Sequence, residues 1–188
     1  MAKREAILRK LRKALDPERF RHSLRVEKIA LALAKKYGVS GRKASLAALL
    51  HDYARKYGRK GLLRQARKHG LRIDPVREFE PKLFHAELSA LLAKKDLGIR
   101  APEILSAIRN HTIGAPGMKK LDKIIYLADH IEEGRNFRGV KKVRSLAKRD
   151  LDRAIAESAS NMLQFLLKKG LPIDPGTIRT RNYYLMKK

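Results

Sequence analysis

Five histidine and aspartate residues lie on helix faces that are otherwise apolar, and a sixth is adjacent to one of them, so these side chains can act together inside the fold. A polar side chain on such a face is either buried or lines a cavity, and burial without a partner costs roughly a few kcal/mol. Imidazole and carboxylate groups that meet in this way are ligands for metal ions. The residues are His22, His51, Asp52, His85, His111 and Asp129.

The helical spacing of their apolar neighbours predicts the inward direction of these side chains. His22 precedes Val26, Ile29 and Leu33 by four, seven and eleven residues, and these positions share one helix face. Asp52 is adjacent to the inward-facing His51. The same reasoning places the other candidates on the apolar faces of four further helices: His51, His85, His111 and Asp129.

A single inward histidine is more often a satisfied core residue than a ligand. Several unpaired buried imidazoles and carboxylates would, however, destabilise a fold whose net stability is small. A metal centre removes this cost because the groups then become ligands. The remaining histidines, His69 at a helix end and His130 beside Asp129, are predicted not to be ligands, because His69 suits a surface role and His130 should point away from the site.

The ligand types limit the metal and suggest the reaction. The chain has no cysteine, so nitrogen and oxygen ligands favour Fe, Mn, Zn or Co. The candidates exceed what one catalytic ion needs, whereas two ions about 3.5–4 Å apart would use them all. Asp52 is the natural bridge between the two. Such a pair activates water at neutral pH and screens phosphate charge, so we expect hydrolysis of a phosphoester or phosphoanhydride.

Helical periodicity dominates the elements that must position these residues, so the predicted fold is all-α. Asp16-Pro17 predicts a helix start, and Gly38 a helix end. We expect irregular chain around Pro75 and Pro81 and a basic, irregular C-terminal tail. The predicted division is an N-terminal helix over 1–15, a helical bundle over 16–170 and a tail over 171–188.

The composition adds a strong positive charge to this scheme. The 188 residues include 45 Lys and Arg against 19 acids, a formal charge of +26. This charge fits either a solvated surface of the thermophilic kind or attraction to nucleotides and RNA. The N-terminus has no apolar run typical of a signal peptide, and no stretch is long enough to span a membrane. We therefore expect a cytoplasmic protein.

Seven short segments carry a resemblance to a known family. In this order the chain reads RFRHSLRV, AALLHDYA, FHAELSA, NHTIG, LDKIIYLADHIE, FRGV and RDLD, and the first begins at Arg19 and the last ends at Asp152. These segments resemble the HD superfamily of metal-dependent phosphohydrolases, and specifically its YqeK-type symmetrical bis(5'-nucleosyl)-tetraphosphatases. The resemblance extends over about 16–182.

The resemblance implies hydrolysis of diadenosine tetraphosphate to two ADP by a di-iron HD-domain bundle. It assigns His22, His51, Asp52 and Asp129 to the first metal, and His85 and His111 to the second, with Asp52 shared. Asp52, His85 and His111 are the implied catalytic residues. The resemblance also implies nucleotide contacts for four of the clustered residues, which are His22, Asp52, His85 and His111. Eight further residues are implied to contact the nucleotide: Arg19, Thr112, Arg135, Thr177, Ile178, Arg179, Arg181 and Asn182.

One departure from the family pattern and two alternative functions remain open. After Asp129 the chain reads HIEEGR, where the resemblance leads us to expect an aromatic or aliphatic residue followed by IEP. The same site could act on another nucleotide or on an RNA phosphoester. In a third interpretation the chain is a basic RNA-binding or ribosome-associated module with a residual HD site. A homodimer is compatible with the sequence.

Overall fold

A computed structural model describes residues 2–187 as a bundle of helices without β-strands; Met1 and Lys188, the outer ends of the predicted terminal segments, lie outside the described residues. The all-α prediction is confirmed. Two short 3₁₀ segments cover Tyr53–Tyr57 and Pro81–Phe84. The α-helices are α1 (Ala2–Ala14), α2 (Pro17–Tyr37), α3 (Gly41–Leu50), α4 (Gly58–Lys68), α5 (Pro75–Phe79), α6 (His85–Leu97), α7 (Pro102–Asn110), α8 (Lys120–Ile131), α9 (Val140–Ala147), α10 (Leu151–Lys168) and α11 (Pro175–Met186).

Helix α8 lies at the centre of the bundle. Nine of its twelve residues are buried, and it packs against α2, α3, α7, α9 and α10. Tyr126 and Ile125 are among its fully buried side chains. Because α8 contacts the helices that carry most of the candidate residues, it fixes their relative positions.

Local signals explain where α2 begins and ends. The side chain of Asp16 accepts a hydrogen bond from the Arg19 backbone N–H, and Pro17 occupies the first turn. At the other end Gly38 has φ of 66°, a left-handed conformation that glycine adopts at low cost, and its N–H donates to Ala34. These signals give the boundaries that the sequence predicts.

Two segments that were predicted to be irregular are helical. Pro75–Phe79 and Pro81–Phe84 form short helices, and the expected irregular tail is instead the helix α11. The reason is the same for α5 and α11: Asp74 and Asp174 each cap a helix whose first residue is proline. Helix α11 then packs along α10, so its order comes from tertiary contact.

No helix within 2–187 is both long enough and apolar enough to cross a membrane.

Candidate metal centre

The structure brings the six predicted histidine and aspartate residues together. Five separate parts of the bundle contribute them, and the histidines His51, His85 and His111 lie at the ends of helices. Asp129 is the most accessible of the six and is still only partly exposed. The residues lie within α2 (His22), directly after α3 (His51 and Asp52), at the start of α6 (His85), directly after α7 (His111) and within α8 (Asp129).

His22, His51 and Asp129 form one group of ligand atoms. His22 Nε2 lies 3.2 Å from His51 Nε2 and 3.0 Å from Asp129 Oδ1. His51 Nε2 lies 3.9 Å from the same Asp129 oxygen. The three atoms are close enough together to surround a metal ion.

His85 and His111 form a second group around the other side of Asp52. Their Nε2 atoms lie 2.9 Å apart, and Asp52 Oδ1 is 3.2 Å from the first and 3.9 Å from the second. Asp52 Oδ2 faces the first group, 3.8 Å from His22 Nε2 and 3.6 Å from His51 Nε2. The two oxygens of one carboxylate therefore face different histidine pairs, as a bridging ligand requires.

Backbone carbonyls fix the orientation of three of the four imidazoles. Nδ1 of His51, His85 and His111 lies 2.6, 2.5 and 2.7 Å from the carbonyl oxygen three residues earlier. A carbonyl only accepts, so each Nδ1 carries the proton. In the neutral ring each Nε2 then has a free lone pair directed at the cluster. Lone pairs and carboxylate oxygens that converge at these distances fit divalent cations.

Burial and local charge set the protonation of the cluster. Burial lowers the pKa of His51 and of His111, so both rings stay neutral at physiological pH. Burial alone would raise the pKa of Asp52 and Asp129. Neighbouring histidines, together with Arg135 beside Asp129, outweigh it and hold the pKa of both carboxyl groups well below its usual range. Neutral imidazoles and ionised carboxylates are the forms that bind metals.

Glu132 is a buried residue directly beneath the cluster, and the sequence interpretation assigned it no role. Its Oε1 lies 3.3 Å from His22 Nδ1, and its Oε2 accepts hydrogen bonds from Arg25 Nε and Gly134 N, both at 2.6 Å. Its pKa is lowered because, although burial acts to raise it, the hydrogen bond from Arg25 and further polar contacts prevail. Glu132 thus orients the one imidazole of the four that no backbone carbonyl holds.

A cavity of about 790 Å³ opens onto the cluster, within the range of about 300–1,000 Å³ typical of small-molecule sites. Its lining joins the cluster to the loop between α8 and α9 and to one face of α10. The lining residues are Arg19, Asp52, Arg55, His85, Thr112, Asp129, His130, Arg135, Phe137, Arg138, Gly139, Glu157, Ser158, Asn161, Met162, Gln164, Phe165 and Lys168.

Cationic and hydroxyl side chains surround the carboxylates within this cavity. Arg19 donates to Asp52 Oδ2 at 2.8 Å, and Arg135 donates to Asp129 Oδ1 at 2.6 Å. Thr112 Oγ1 lies 3.1 Å from Nε2 of both His85 and His111. A polyanion that enters the cavity therefore meets guanidinium groups directly beside the candidate metal ligands.

A family model for the HD domain matches residues 19–134. The chain belongs to the HD domain family. The matched segment contains all six clustered residues, and His51-Asp52 is the adjacent His-Asp pair. The HD match ends before α9, so α10 and α11 lie beyond it.

Proteins that are similar to this chain over almost its full length agree with its assignment to the HD domain family. The symmetrical bis(5'-nucleosyl)-tetraphosphatase of Halalkalibacterium halodurans is 43% identical over 92% of both chains. The protein with that name in Bacillus subtilis is 39% identical over 96% of both chains. A crystal structure described as that of a predicted HD superfamily hydrolase from Clostridium acetobutylicum superposes with a TM-score of 0.93 at 36% identity, covering 98% of this chain and 97% of that one.

The C-terminal residues with predicted nucleotide contacts lie apart from this cavity. Within the described part of the chain, no residue of α11 belongs to its lining. Thr177 and Thr180 are buried, and Thr180 packs against Gly114. Arg181 donates to Ser160 on α10 and to Asn182 beside it. The nucleotide contacts of Thr177, Ile178, Arg179, Arg181 and Asn182 stay predictions.

Besides Glu132, the sequence interpretation gives no role to Arg55 and Asn161, and His130 lies otherwise than predicted. Arg55 Nε lies 3.7 Å from Asp52 Oδ1, and its position three residues after Asp52 was the available signal. His130 is buried and stacked on Tyr126, with Nδ1 2.9 Å from the Tyr126 carbonyl. The sequence predicts that His130 points away from the site, whereas the structure includes it in the cavity lining. That it is not a metal ligand stays a prediction. Asn161 on α10 had no local signal at all.

Proposed function

We propose that this chain is a metal-dependent symmetrical bis(5'-nucleosyl)-tetraphosphatase that hydrolyses diadenosine tetraphosphate to two ADP. The observation that carries the proposal is Asp52, whose two carboxylate oxygens face different histidine pairs at the base of a cationic cavity. Support for the substrate comes from the names of relatives that align over almost the whole chain.

Two divalent cations would be held by the clustered residues, with His22, His51, Asp52 and Asp129 around the first, and His85 and His111 around the second. Asp52 would be shared. When bound, the cations would lower the pKa of water and screen phosphate charge. We propose iron, while the nitrogen and oxygen ligand set also suits Mn, Zn or Co.

The chain's own residues would bind and orient the polyphosphate. The guanidinium groups of Arg19, Arg55 and Arg135 lie beside the carboxylates and can pair with phosphate oxygens. In the reaction water adds to one inner phosphorus atom, the central P–O–P linkage breaks, and ADP leaves. Arg135 then stabilises charge as it develops, and Asp52, His85 and His111 surround the reacting phosphate.

One alternative is activity of the same site on other nucleotides or on RNA phosphoesters. A second is a binding role toward RNA, which the charge of +26 favours. An RNA-binding module would show affinity that falls steeply with salt and survives chelation of metal. Loss of RNA binding on chelation would contradict that alternative. A homodimer, and the division of the chain at 16–170 with flanking terminal segments, are further parts of this proposal.

Elemental analysis of anaerobically purified protein, combined with product analysis from diadenosine tetraphosphate, tests the function. We expect two bound metal ions per chain and two ADP as the products. AMP and ATP as products would rule out the symmetrical cut. Asp52→Ala should lose metal and turnover, and retention of both would contradict the assignment of Asp52.

A further inference from the structure

The cavity has two chemically different parts. Around the clustered histidines and aspartates its lining carries guanidinium groups, which suit phosphate. The part formed by α10 and the preceding loop adds apolar and amide side chains, which lie among Arg138, Glu157, Ser158 and Lys168 of the same lining. These apolar and amide residues are Phe137, Asn161, Met162, Gln164 and Phe165. Phosphate binding does not require apolar contact, whereas binding of a nucleoside requires both apolar contact and a few directed polar groups.

The aromatic residues of this part are placed for contact with a flat ring. Phe165 leaves 52% of its surface exposed although it lines the cavity, and Phe137 from the loop before α9 lines the same space. Met162 adds a polarisable side chain beside them. Nucleobases stack on aromatic side chains in this kind of setting.

Asn161 supplies a directed polar group without a protein partner. Its Nδ2 is buried and makes no hydrogen bond within the described residues. The amide is held against the backbone of Gly139, where a Cβ would lie 2.9 Å from Nδ2 and 3.2 Å from Oδ1. A buried donor without an acceptor is unfavourable. Asn161 lines the cavity, so a rotation of its amide that brings Nδ2 to an acceptor on a ligand would remove this cost.

We propose that the α10 part of the cavity, defined by Phe137, Asn161, Met162, Gln164 and Phe165, binds one adenine nucleoside of the substrate. This proposal rests on the proposed function, which gives the substrate two nucleosides. The predicted contacts of α11 account for one nucleoside at most. An asparagine amide pairs with the donor N6 and the acceptor N7 of adenine through its own acceptor and donor. Asn161 is therefore the residue that selects the base.

Asn161→Asp tests base selection because it replaces the amide donor with an acceptor while preserving size. The carboxylate repels adenine N7 and can accept hydrogen bonds from the N1–H and N2–H₂ groups of guanine. We expect the ratio of kcat/KM for diadenosine over diguanosine tetraphosphate to fall about tenfold or more. Phe165→Ala should raise KM for both substrates and leave their ratio unchanged.

Leu167→Ala is the matched control, because Leu167 lies on the same helix, is 68% exposed and is outside the cavity lining. Its substrate ratio should equal that of the wild type. A ratio in Asn161→Asp within twofold of wild type, with wild-type cleavage intact, would overturn the nucleoside site while leaving the proposed function standing.

Calorimetry can measure the affinity of the metal-loaded wild type and of metal-loaded Asn161→Asp for ADP and GDP. These affinities distinguish failure of the nucleoside site from failure of the proposed function. If the wild type does not cleave diadenosine tetraphosphate but Asn161→Asp binds ADP about tenfold more weakly, the nucleoside site stands and the proposed function fails. Equal ADP affinity in the two proteins, together with equal GDP affinity, overturns the nucleoside site whatever the activity.

Discussion

Glu132 and His22 form a carboxylate–imidazole pair beneath the candidate metal centre. Oε1 of Glu132 lies 3.3 Å from His22 Nδ1, and both residues are buried. Arg25 holds the second oxygen of Glu132 at 2.6 Å, so the carboxylate itself is fixed. This pairing directs His22 Nε2 toward the cluster, as the carboxylate partners of metal-binding histidines generally do.

Replacing Glu132 with glutamine should therefore weaken metal binding. We expect the affinity for divalent metal to fall about tenfold or more, because the ring loses its anionic partner while the side-chain shape is kept. Competition with a chromogenic chelator gives the measurement. Glu133→Gln is the matched control, since Glu133 is exposed and pairs with Lys28 at 2.6 Å. Equal losses in the two variants would argue against a specific role for Glu132.

Acidification should destabilise the metal-free protein below about pH 6.5. Burial lowers the pKa of His51 and His111, so below the unfolded value of about 6.5 the unfolded chain binds protons that the folded chain does not. Above that pH the two histidines do not reduce the free energy of unfolding. As the pH falls below it, the free energy of unfolding decreases by up to about 1.4 kcal/mol per pH unit for each histidine. Urea unfolding of chelator-treated protein at pH 7.5, 6.5 and 5.5 measures it. His111→Gln should show a shallower dependence, and a flat wild-type profile would refute the prediction.

The contact between Gly114 and Thr180 connects the loop after His111 to α11, and Gly114→Ala should disrupt it. A Cβ at Gly114 would lie 2.6 Å from Thr180 Cγ2, and its φ of +74° adds backbone strain. Gly117 has a similar φ of +68°, but its nearest atom is 3.9 Å away. Gly114→Ala should be less stable than Gly117→Ala by about 1–3 kcal/mol. Thermal unfolding compares them, and equal melting temperatures would show that the loop and helix adjust freely.

Asp174 should stabilise α11 chiefly as its N-cap. Its Oδ1 accepts from Gly176 N at 2.7 Å, and its Oδ2 lies 3.6 Å from Arg77 Nε. Asp174→Ala should cost about 1 kcal/mol, whereas Asp174→Asn should keep most of the stability because asparagine also caps helices. Chemical denaturation measures both. If the two variants lose equal stability, the ion pair with Arg77 matters more than the cap.

The sequence predicted the members of the cluster because helical periodicity alone indicates which way a side chain faces. His22 and Asp129 follow from their apolar neighbours, and family resemblance supplies the same set. The helix at Asp174-Pro175 carries the same signal as Asp16-Pro17, but the glycine and proline of the tail also indicate a break in the helix, so the sequence predicts irregular chain there. Asn161 and Glu132 could not be found in this way, because their roles depend on partners brought near only by packing.

His51, His85 and His111 share one local arrangement, in which the ring bonds to the carbonyl three residues earlier. Each ring is thus oriented by its own short backbone segment and needs no distant residue for that purpose. Because each ring is oriented locally, packing of the helices has only to bring the rings close together. The arrangement is portable for that reason: a protein designer could place a histidine after the final turn of an unrelated helix and obtain the same tautomer. His22 could not be transferred in this way, because its carboxylate partner would have to be moved with it.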